Sequence, residues 1–562
     1  MNVAEAAARY LASLGVTDAF GIPGGVILDF LYALDAQSGI TPHLTYHEQS
    51  AGFAACGYAQ SGGVLGVAYA TRGPGFTNLI TPLTDAFCDS LPVLFVTAHA
   101  DDDIPPAGMR VRSDQELDTC SMVRKVTKLA SRVETVEDFL ELFPKACGMA
   151  TDGRKGPVFL DFSARLFRED IPRDIESCAC SQLPAVDERM LGELHEAVRS
   201  ARRPVVLVGD GISQAGEAAT FRRWAGELPL PMISSRFCHD IVADCDNYFG
   251  YVGSHGIRAA NFILSKTDLV VSLGNRLHFP VQSKSFAPIW NRAKLLRFEI
   301  DEGEFLRKIP NSRNYHVDVR SLVRRLANER PEVWGRHDEW LSVCRTLGAR
   351  LVRSDCNSTV TRLAHLLSQL PNDALVVNDV GNLEFGVSRA CVLARLKNRT
   401  LYSKSLGALG CALGKAIGAH YATNKPVACV VGDQGLMMNV QDLHSIAQHS
   451  LPVVVVVVNN GESGMIRDKE ELRFGRLLHT TSETGFLSPE VSRVAQMVGL
   501  RYRALSENDV AECQDLMGDM PSLVDFRVKG GLPLTPFVPV GNPCQEMSPP
   551  LGDDCYEELN KL

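Results

Sequence analysis

Short runs of apolar, often β-branched residues alternate with helical patterns along most of the chain. Strand-like runs are predicted at residues 19–22, 64–70, 93–97, 158–162, 204–208, 269–273, 295–300, 374–378, 428–431, 453–458 and 522–528. Continuous apolar strands separated by helices are typical of parallel sheets that are covered by helices on both faces. The pattern therefore predicts an α/β protein with three parallel-sheet domains.

Polar and proline-containing segments divide these runs into three groups. Residues 172–187 are predicted to be a linker, and residues 338–355 a helical bridge. The predicted domains are 1–171, 188–337 and 356–536, followed by a C-terminal tail, 537–562. Because the tail contains four prolines, we expect it to be an extended closing segment.

The composition is that of a soluble globular protein. Of 562 residues, 45% are apolar and 22% are charged, which excludes a disordered or fibrous chain. The net charge of −9 gives no signal for binding nucleic acid or an anionic membrane. Residues 1–16 have the spacing of an amphipathic helix rather than of a secretory signal, and the apolar run at 453–458 is too short to span a membrane. The sixteen cysteines are scattered without metal-ligand spacing, so we expect reduced thiols in a cytoplasmic protein.

One strand–turn–helix segment carries a candidate metal site. Asp433 follows the run at 428–431, and Asn459 and Asn460 lie 26 and 27 positions further on, after the next run. This spacing accommodates one βαβ crossover, which would put Asp433 and Asn460 at the ends of neighbouring parallel strands, about 5 Å apart. With the backbone carbonyl of Glu462 they could bind Mg²⁺, which prefers oxygen ligands. The alternative is an ordinary turn in which Asp433 caps a helix.

The first domain contains a second distinctive segment. Glu48 opens a helix of small residues, and a Gly73–Pro74–Gly75 turn follows. Together with Asp433 and Asn460, these motifs resemble those of the thiamin-diphosphate (thiamine pyrophosphate, TPP) enzyme family, and more narrowly its acetolactate synthase and pyruvate oxidase branch. The resemblance covers residues 1–536 and implies a pyrimidine-binding first domain, a central domain and a diphosphate-binding third domain.

The resemblance implies roles for individual residues of the first and third domains. Glu48 is expected to be the catalytic residue that hydrogen-bonds the aminopyrimidine ring of TPP. Asp433, Asn460 and the Glu462 carbonyl are expected to bind Mg²⁺. The further cofactor-binding positions are Gly73, Pro74, Asn78, Gly381, Asn382, Gly407, Ala408, Leu409, Gln434 and Gly435. Leu409 would bend the cofactor, with a plain core leucine as the alternative, and Gln434 departs from the family's Gly-Asp-Gly or Gly-Asp-Ala motif.

The second domain resembles the flavin-binding branch of the same family. The expected FAD-binding positions are Arg154, Gly253, His255, Gly256, Gly274, Arg276 and Asp318. In acetolactate synthases the flavin carries out no net redox step, and the same is expected here.

The implied reaction is decarboxylation of a 2-oxo acid such as pyruvate and transfer of the two-carbon unit to a carbonyl acceptor. Gln115–Glu116 resembles a pair found in acetolactate synthases, and the His-His pair of the decarboxylases is absent from residues 109–119. Pro280 replaces the acceptor-binding arginine of acetolactate synthases, and the segment 162–164 replaces their lysine. We therefore expect an acceptor without a carboxylate, such as a nucleotide-linked keto-deoxysugar.

Two alternatives stay open for the function. An acetolactate synthase could bind the carboxylate of a second 2-oxo acid through Arg165 or His278. A relative that binds the cofactor without turnover is the other alternative, although the joint presence of Glu48, Asp433 and Asn460 argues against it.

The resemblance also implies an assembly of identical chains. The cofactor is expected between the first domain of one subunit and the third domain of another, so a homodimer is the minimum and a homotetramer is common. No nucleic-acid or membrane partner is expected. The tail is either a lid over the site or a wrap on the surface. His47 and His99 either border the substrate or are structural.

Overall fold

The computed structural model describes residues 1–37, 39–62, 64–100, 114–176, 183–355, 357–505, 521–528, 532 and 535–561. The chain divides into two compact units. The first unit comprises residues 1–181, 373–381 and 401–529, and the second comprises 182–372, 382–400 and 530–562. The first unit therefore contains the N-terminal and C-terminal sheets, and the second contains the middle sheet.

The described strands of the N-terminal sheet are all parallel. They are β1 (Asp18–Gly21), β2 (Thr41–Leu44), β3 (Gly66–Ala70), β4 (Val93–His99), β5 (Leu129–Val133) and β6 (Val158–Ser163), in the order β2-β1-β3-β4-β6-β5. The helices are α1 (Val3–Ser13), α2 (Leu28–Ala36), α3 (Glu48–Gly62), α4 (Pro74–Asp89), α5 (Thr119–Val123) and α6 (Val136–Thr151). The strand order reverses between β1 and β3, and such a reversal opens a crevice at the carboxyl ends of the strands.

The middle sheet has the same parallel arrangement among its described strands. They are β7 (Pro204–Val208), β8 (Met232–Ser234), β9 (Tyr248–Tyr251), β10 (Leu269–Leu273), β11 (Lys294–Glu299) and β12 (Ser312–His316), in the order β12-β11-β10-β7-β8-β9. The helices are α7 (Glu188–Ser200), α8 (Gly211–Gln214), α9 (Ala218–Glu227), α10 (Arg258–Lys266), α11 (Ala287–Trp290), α12 (Val319–Leu326) and α13 (Asp338–Leu351). Helix α13 lies in the segment predicted to be a helical bridge.

The C-terminal sheet completes the pattern. Its described strands are β13 (Leu375–Asn378), β14 (Thr400–Leu401), β15 (Val427–Gly432), β16 (Val453–Asn459), β17 (Arg501–Leu505) and β18 (Ser522–Arg527), in the order β14-β13-β15-β16-β18-β17. The helices of this stretch are α14 (Ser358–Ser368), α15 (Asn382–Leu393), α16 (Cys411–Thr423), α17 (Asp433–Met438), α18 (Asp442–Gln448), α19 (Gly464–Phe474) and α20 (Val491–Val498). Helices α14 and α15 belong to the second compact unit.

The predicted fold class is confirmed, with three parallel-sheet α/β domains. Every strand-like run predicted from the sequence overlaps a strand of the structure. The strands that the sequence pattern missed are β2, β5, β8, β9, β12, β14 and β17. Most of them lie at the sheet edges, where one side faces solvent and the residues are less continuously apolar.

The C-terminal tail packs against the middle domain, inside the second unit. Val538 N–H donates to the Ser254 carbonyl over 2.7 Å, and the Arg258 guanidinium donates to the Met547 carbonyl over 3.2 Å. Leu559 is fully buried in an apolar cluster that also contains Phe262 and Leu264 of α10. The last residues form a helix, α21 (Asp553–Lys561), so the prediction of a wholly extended tail is wrong there. These contacts favour a wrap on the domain surface over a lid.

Three further sequence expectations concern membrane-spanning helices, the cysteines and the N-terminal helix. None of the helices in the described ranges is long and apolar enough to cross a membrane. The cysteines that the structure describes are free thiols, and most of them are buried. Residues 1–16 contain the predicted amphipathic helix, α1, in which Asn2 and Glu5 form a capping box.

Candidate active site

The carboxyl edge of the C-terminal sheet gathers the candidate metal ligands. Strands β15 and β16 are paired in parallel, with Gly432 opposite Val458, so Asp433 and the turn after Asn459 are neighbours. The Asp433 carboxylate accepts hydrogen bonds from the Gly461 N–H over 3.0 Å and from the Ser488 hydroxyl over 3.3 Å. The predicted adjacency of Asp433 and the residues after Asn459 is therefore present in the structure. Asn460 and Glu462 lie in this same turn.

The chemistry of these donors suits a hard cation. Asp433 offers a carboxylate, Asn460 an amide oxygen and Glu462 a carbonyl oxygen, which are the ligand types that Mg²⁺ prefers. Within the described ranges, no cluster of three or more His, Cys, Asp or Glu side chains is placed to bind a metal. A metal here would therefore depend on amide and carbonyl oxygens besides the one carboxylate.

Gln434 is the departure from the family motif, and its side chain does not cover Asp433. The Gln434 side-chain oxygen accepts a hydrogen bond from the Ser463 hydroxyl over 3.0 Å, and its backbone N–H donates to Asp433 over 2.9 Å. Gln434 thus connects the turn after β15 to the turn after β16. Gln434, which is larger than the glycine or alanine of the family motif, therefore adds a hydrogen bond between the two turns that carry the candidate metal ligands.

Asp379, which follows β13, joins the remaining turns of this edge. Both of its carboxylate oxygens accept from the Gly410 N–H at 3.0 Å. Burial raises the pKa of Asp379 to about 7, while these hydrogen bonds oppose the shift. A Cβ atom at Gly435 would overlap the Asp379 carboxylate, so the turns approach this closely only because position 435 lacks a side chain.

The loop before α16 holds the candidate residues Gly407, Ala408 and Leu409. Gly407 and Gly410 have φ values of +67° and +83°, a backbone conformation that favours glycine. Leu409 between them is only partly buried, so it is not a plain core leucine. The Ser403 hydroxyl accepts from the N–H groups of Gly407 and Ala408, both over 3.1 Å. The loop therefore presents Leu409 from a backbone fixed at both ends.

Glu48 and Asn78 meet at the carboxyl edge of the N-terminal sheet. Glu48 begins α3, and the Asn78 amide donates to its carboxylate over 2.9 Å. Gly73 and Pro74 open α4 next to them, with Gly73 at φ +60°. A Cβ atom at Gly75 would lie 3.4 Å from the Glu48 carboxylate, so this turn passes close beside the glutamate.

Residues of the two sheets are in direct contact within one chain. The Asn439 amide donates to the Gln49 side chain over 3.3 Å and to the Gly410 carbonyl over 2.9 Å. The Gln441 amide donates to the Ser50 hydroxyl over 3.3 Å. The residue next to Glu48 is thus connected to the loop that carries Leu409. The sequence analysis missed Asn439 and Gln441, which lie in the short turn between α17 and α18 and belong to no recognised motif.

Two histidines left open by the sequence have structural partners. The ring nitrogen Nδ1 of His47 accepts the Gln49 N–H over 3.0 Å, so this imidazole caps the start of α3. His99 lies 3.3 Å from the Asp161 carboxylate and 3.2 Å from Glu134. Burial alone would lower the pKa of His99, but the hydrogen bond and charge of Asp161, with Glu134, raise it above its usual range.

The candidate flavin-binding positions are divided between the two units. Gly253, His255, Gly256, Gly274, Arg276 and Asp318 lie in the second unit, after the carboxyl ends of β9, β10 and β12. Gly274 packs against the turn after β7, where its carbonyl accepts the Gly211 N–H over 3.0 Å. This is the point at which the strand order of the middle sheet reverses, and ligands bind at such points in open α/β sheets.

Three of the candidate flavin-binding residues, Asp318, His255 and Arg154, make contacts with other protein residues. Asp318 caps α12 by accepting the Arg320 N–H over 2.9 Å. The His255 ring lies 4.3 Å from that of Phe385. Arg154 lies in the first unit and donates to the Ser90 hydroxyl over 3.0 Å.

Gly381 and Asn382 follow β13, where the chain passes from the first unit to the second. Gly381 has a φ of +96°, and Asn382 begins α15.

Gln115 has a φ of +62°, and a Cβ atom at Gly73 would lie 2.6 Å from the Gln115 Cβ. Gln115 thus packs directly on the Gly73–Pro74 turn. Residues 109–113 of the segment 109–119, in which the His-His pair was sought, lie outside the described residues.

Three family models match the chain, one for each sheet. They are the thiamine pyrophosphate enzyme N-terminal TPP binding domain at residues 1–122, the central domain at 191–326 and the C-terminal TPP binding domain at 379–526. The N-terminal model contains Glu48 and Asn78, and the C-terminal model contains Asp433 and Asn460.

Curated proteins resemble the chain along nearly its whole length. The acetolactate synthase isozyme 2 large subunit of Escherichia coli (strain K12) is 30% identical over 568 residues, which cover 97% of this chain and 99% of that protein. The probable acetolactate synthase large subunit of Methanococcus aeolicus is 26% identical, covering 96% and 94%. The acetolactate synthase large subunit of Lactococcus lactis subsp. lactis (strain IL1403) is 27% identical, covering 96% and 94%. The chain therefore belongs to the thiamine pyrophosphate-dependent enzymes, in their acetolactate synthase-like branch.

Proposed function

We propose that this TPP-dependent decarboxylating carboligase takes the two-carbon unit of pyruvate and transfers it to a carbonyl acceptor that lacks a carboxylate, namely a nucleotide-linked keto-deoxysugar. The observation that carries this proposal is the absence of the two basic residues with which acetolactate synthases are expected to bind the carboxylate of their acceptor. Pro280 stands at the position of the arginine, and the buried Ser163 and Ala164 stand where the lysine is expected. A charge-assisted hydrogen bond contributes about 1.5–3 kcal/mol, so its loss disfavours an anionic acceptor.

The chain's own residues would hold and orient the cofactors. TPP supplies, when bound, the carbon nucleophile that attacks the keto carbon and allows carbon dioxide to leave. Glu48, oriented by Asn78, would hold the aminopyrimidine ring and its proton. Asp433, Asn460 and the Glu462 carbonyl would bind the Mg²⁺ that anchors the diphosphate.

FAD binding at the middle sheet is part of the proposal. The support is topological, because Gly274 lies at the reversal between β7 and β10, and Gly253 and Asp318 follow the carboxyl ends of the two edge strands, β9 and β12. Absorbance of the purified protein between 350 and 500 nm tests it. A flavin spectrum that survives gel filtration is the expected result, and a colourless protein that takes up no added FAD would refute it.

An acetolactate synthase is the second candidate function. The names of the curated relatives favour it. Partial burial and the positive charges of Arg276, Arg236 and Arg307 lower the pKa of His278 below its usual range. This positively charged region of the second unit could bind a carboxylate in place of the missing arginine.

Product analysis separates the two candidates. The purified protein is given pyruvate, TPP, Mg²⁺ and FAD, with or without a nucleotide-linked 4-keto-deoxysugar, and products are followed by mass spectrometry. Rapid carbon dioxide release only with the sugar, and a sugar product two carbons heavier, is expected. Rapid acetolactate formation from pyruvate alone would overturn the sugar acceptor and establish the second candidate.

We also propose that the enzyme is a homodimer or homotetramer with its active site between subunits. In one chain the first and third domains already contact each other through α3 and α16. In a domain-swapped dimer, the first domain of one subunit can make this same contact with the third domain of the other, because a swapped domain makes the interactions that it would make within its own chain. The support is therefore the family's general arrangement and an interface that either connectivity can make.

A complementation experiment tests this arrangement. Glu48→Gln and Asp433→Ala chains, each inactive alone, are mixed, unfolded and refolded together. If Glu48 and Asp433 of one site come from different subunits, mixed dimers contain one intact site and activity returns. If mixed oligomers form but stay inactive, both residues come from the same chain and the proposal fails.

A further inference from the structure

One buried lysine of α16 faces two buried aspartates on successive turns of α4. The Lys415 ammonium is fully buried and lies 2.7 Å from the Asp85 carboxylate, which is also fully buried. It donates a second hydrogen bond to the Tyr402 carbonyl over 3.0 Å. One turn further along α4, Asp89 accepts the Lys404 N–H over 2.7 Å. The group of Asp85, Asp89, Lys415 and the strand end at 402–404 is here called the lysine cluster.

The charges of the lysine cluster depend on each other. Burial, and next the charge of Asp85, raise the pKa of Asp89 to about 6, whereas Lys415 opposes that shift. Burial would lower the pKa of Lys415, but Asp85 keeps it above its usual range. Lys415 therefore stays charged and forms a buried ion pair with Asp85. An unpaired carboxylate at this depth would take up a proton instead.

Ser403 connects the lysine cluster to the candidate cofactor loop. Its hydroxyl donates to Asp85 and accepts from the N–H groups of Gly407 and Ala408. A hydroxyl has one proton and two lone pairs, so donation to Asp85 leaves both lone pairs for the loop. Asp85, as the acceptor, thus fixes the direction of the Ser403 hydroxyl, and the hydroxyl fixes the backbone of the loop.

We propose that Ser403, held by the Asp85–Lys415 pair, is a positioning residue that fixes the backbone at Gly407 and Ala408, and so Leu409, in the conformation that binds TPP. This inference rests on the proposed role of those three residues in cofactor binding. Asp85 lies on α4 of the N-terminal domain and Ser403 follows β14 of the C-terminal sheet, so one contact between the two domains of the first unit also positions the loop. None of these side chains needs to touch the reacting atoms.

The test compares cofactor affinity with stability in four variants. Ser403→Ala removes the hydroxyl, Ser403→Thr keeps it, and Lys415→Met removes the buried charge. Thr84→Ala is the matched control, because Thr84 lies beside Asp85 on α4 but donates only to the Ile80 carbonyl of its own helix, over 2.7 Å. Calorimetric titration with TPP and Mg²⁺, without pyruvate, gives the Kd, and thermal unfolding of the cofactor-free protein gives the Tm.

We expect Ser403→Ala to weaken TPP binding about tenfold, since it loses hydrogen bonds that order the loop. Its Tm should fall only modestly, because Asp85 keeps its Lys415 partner. Ser403→Thr should recover most of the affinity, and Thr84→Ala should bind as the parent does. Lys415→Met should weaken binding in the same direction, and if it fails to fold, the Ser403 pair carries the test.

Parental affinity in Ser403→Ala, or an equal loss in Ser403→Thr or Thr84→Ala, would overturn the positioning role. These results leave the proposed function intact if the parent binds TPP. A parent that binds no TPP would refute both the cofactor-site assignment and this inference.

Discussion

Glu48 is the residue on which the proposed chemistry depends most directly. It begins α3, as the sequence pattern predicts, and it accepts a hydrogen bond from Asn78, which the pattern did not predict. Its role in holding the pyrimidine ring stays a prediction. What the sequence could not give is the contact of its neighbour Gln49 with Asn439, because the two residues are 390 positions apart and belong to different sheets. Such contacts depend on packing between domains rather than on local pattern.

Replacing Glu48 by Gln should abolish most turnover without loss of the fold. The amide still accepts the hydrogen bond from Asn78 but cannot take up the proton, and positioned acid–base groups contribute about 10²–10⁴-fold to rates. We expect carbon dioxide release from pyruvate to fall by about that factor, while calorimetry shows TPP still bound. Glu137→Gln, on the exposed first turn of α6, is the control and should keep parental activity. Parental activity in Glu48→Gln would refute the assigned role.

The buried carboxyl group of Asp442 predicts how the stability of the fold changes with pH. It is 1% exposed, and burial raises its pKa to about 7 from an ordinary value of 3.8. The folded protein therefore binds the proton more tightly than the unfolded chain, so the stability that Asp442 contributes is present at low pH and is lost as pH rises towards 7. Asp442→Asn carries no charge and escapes this loss.

The thermal midpoints of parent and Asp442→Asn, measured without cofactor from pH 5 to pH 8, check this sign. The variant should gain on the parent as pH rises, with little further change above pH 8. A difference that is constant with pH, or that shrinks as pH rises, would show that Asp442 is not the buried ionisable group described here.

The helix pair α3 and α16 shows what a sequence pattern indicates at the scale of elements and what it leaves out. The small residues after Glu48 predict a helix, but the pattern does not indicate that they are small because α3 packs closely on α16. A Cβ atom at Gly57 would overlap the Lys415 backbone, and one at Gly418 would overlap that of Ala54. Helix backbones approach this closely only where side chains are absent. The central strands were predictable because they are buried on both faces, whereas β2 and β12 carry exposed polar residues.

Gly57→Ala tests that packing. The added methyl has no room, and overpacking costs typically about 1–3 kcal/mol. Gly192→Ala is the matched control, because Gly192 lies in helix α7, with nothing within 4 Å of the added Cβ atom. There, alanine should stabilise by up to about 1 kcal/mol, from helix propensity. Urea unfolding should move the two midpoints in opposite directions, and a parental midpoint in Gly57→Ala would contradict the described packing.

The whole molecule combines three sheets of one type, each with its candidate ligand positions at carboxyl ends of parallel strands. The N-terminal and C-terminal sheets bring Glu48, Asp379 and Asp433 onto connected turns of the first unit, through Asn439 and Gly410. The sequence did not predict these contacts within one chain, since periodicity alone places no two domains together and the family resemblance implies a site between two subunits. The domain limits 1–171, 188–337 and 356–536 remain predictions, and limited proteolysis at the connectors would test them.

Release of labelled carbon dioxide from pyruvate labelled at its carboxyl carbon is the most direct test of the central claim. The protein is first freed of cofactor by chelation and gel filtration, and then assayed with TPP and Mg²⁺ added separately and together, in the presence of a carbonyl acceptor. Release that requires both additions, and that Asp433→Ala lowers by weakening Mg²⁺ binding, is the predicted result. The account would be contradicted if carbon dioxide were released without TPP, or if no carbon dioxide were released when TPP, Mg²⁺ and every class of acceptor are supplied.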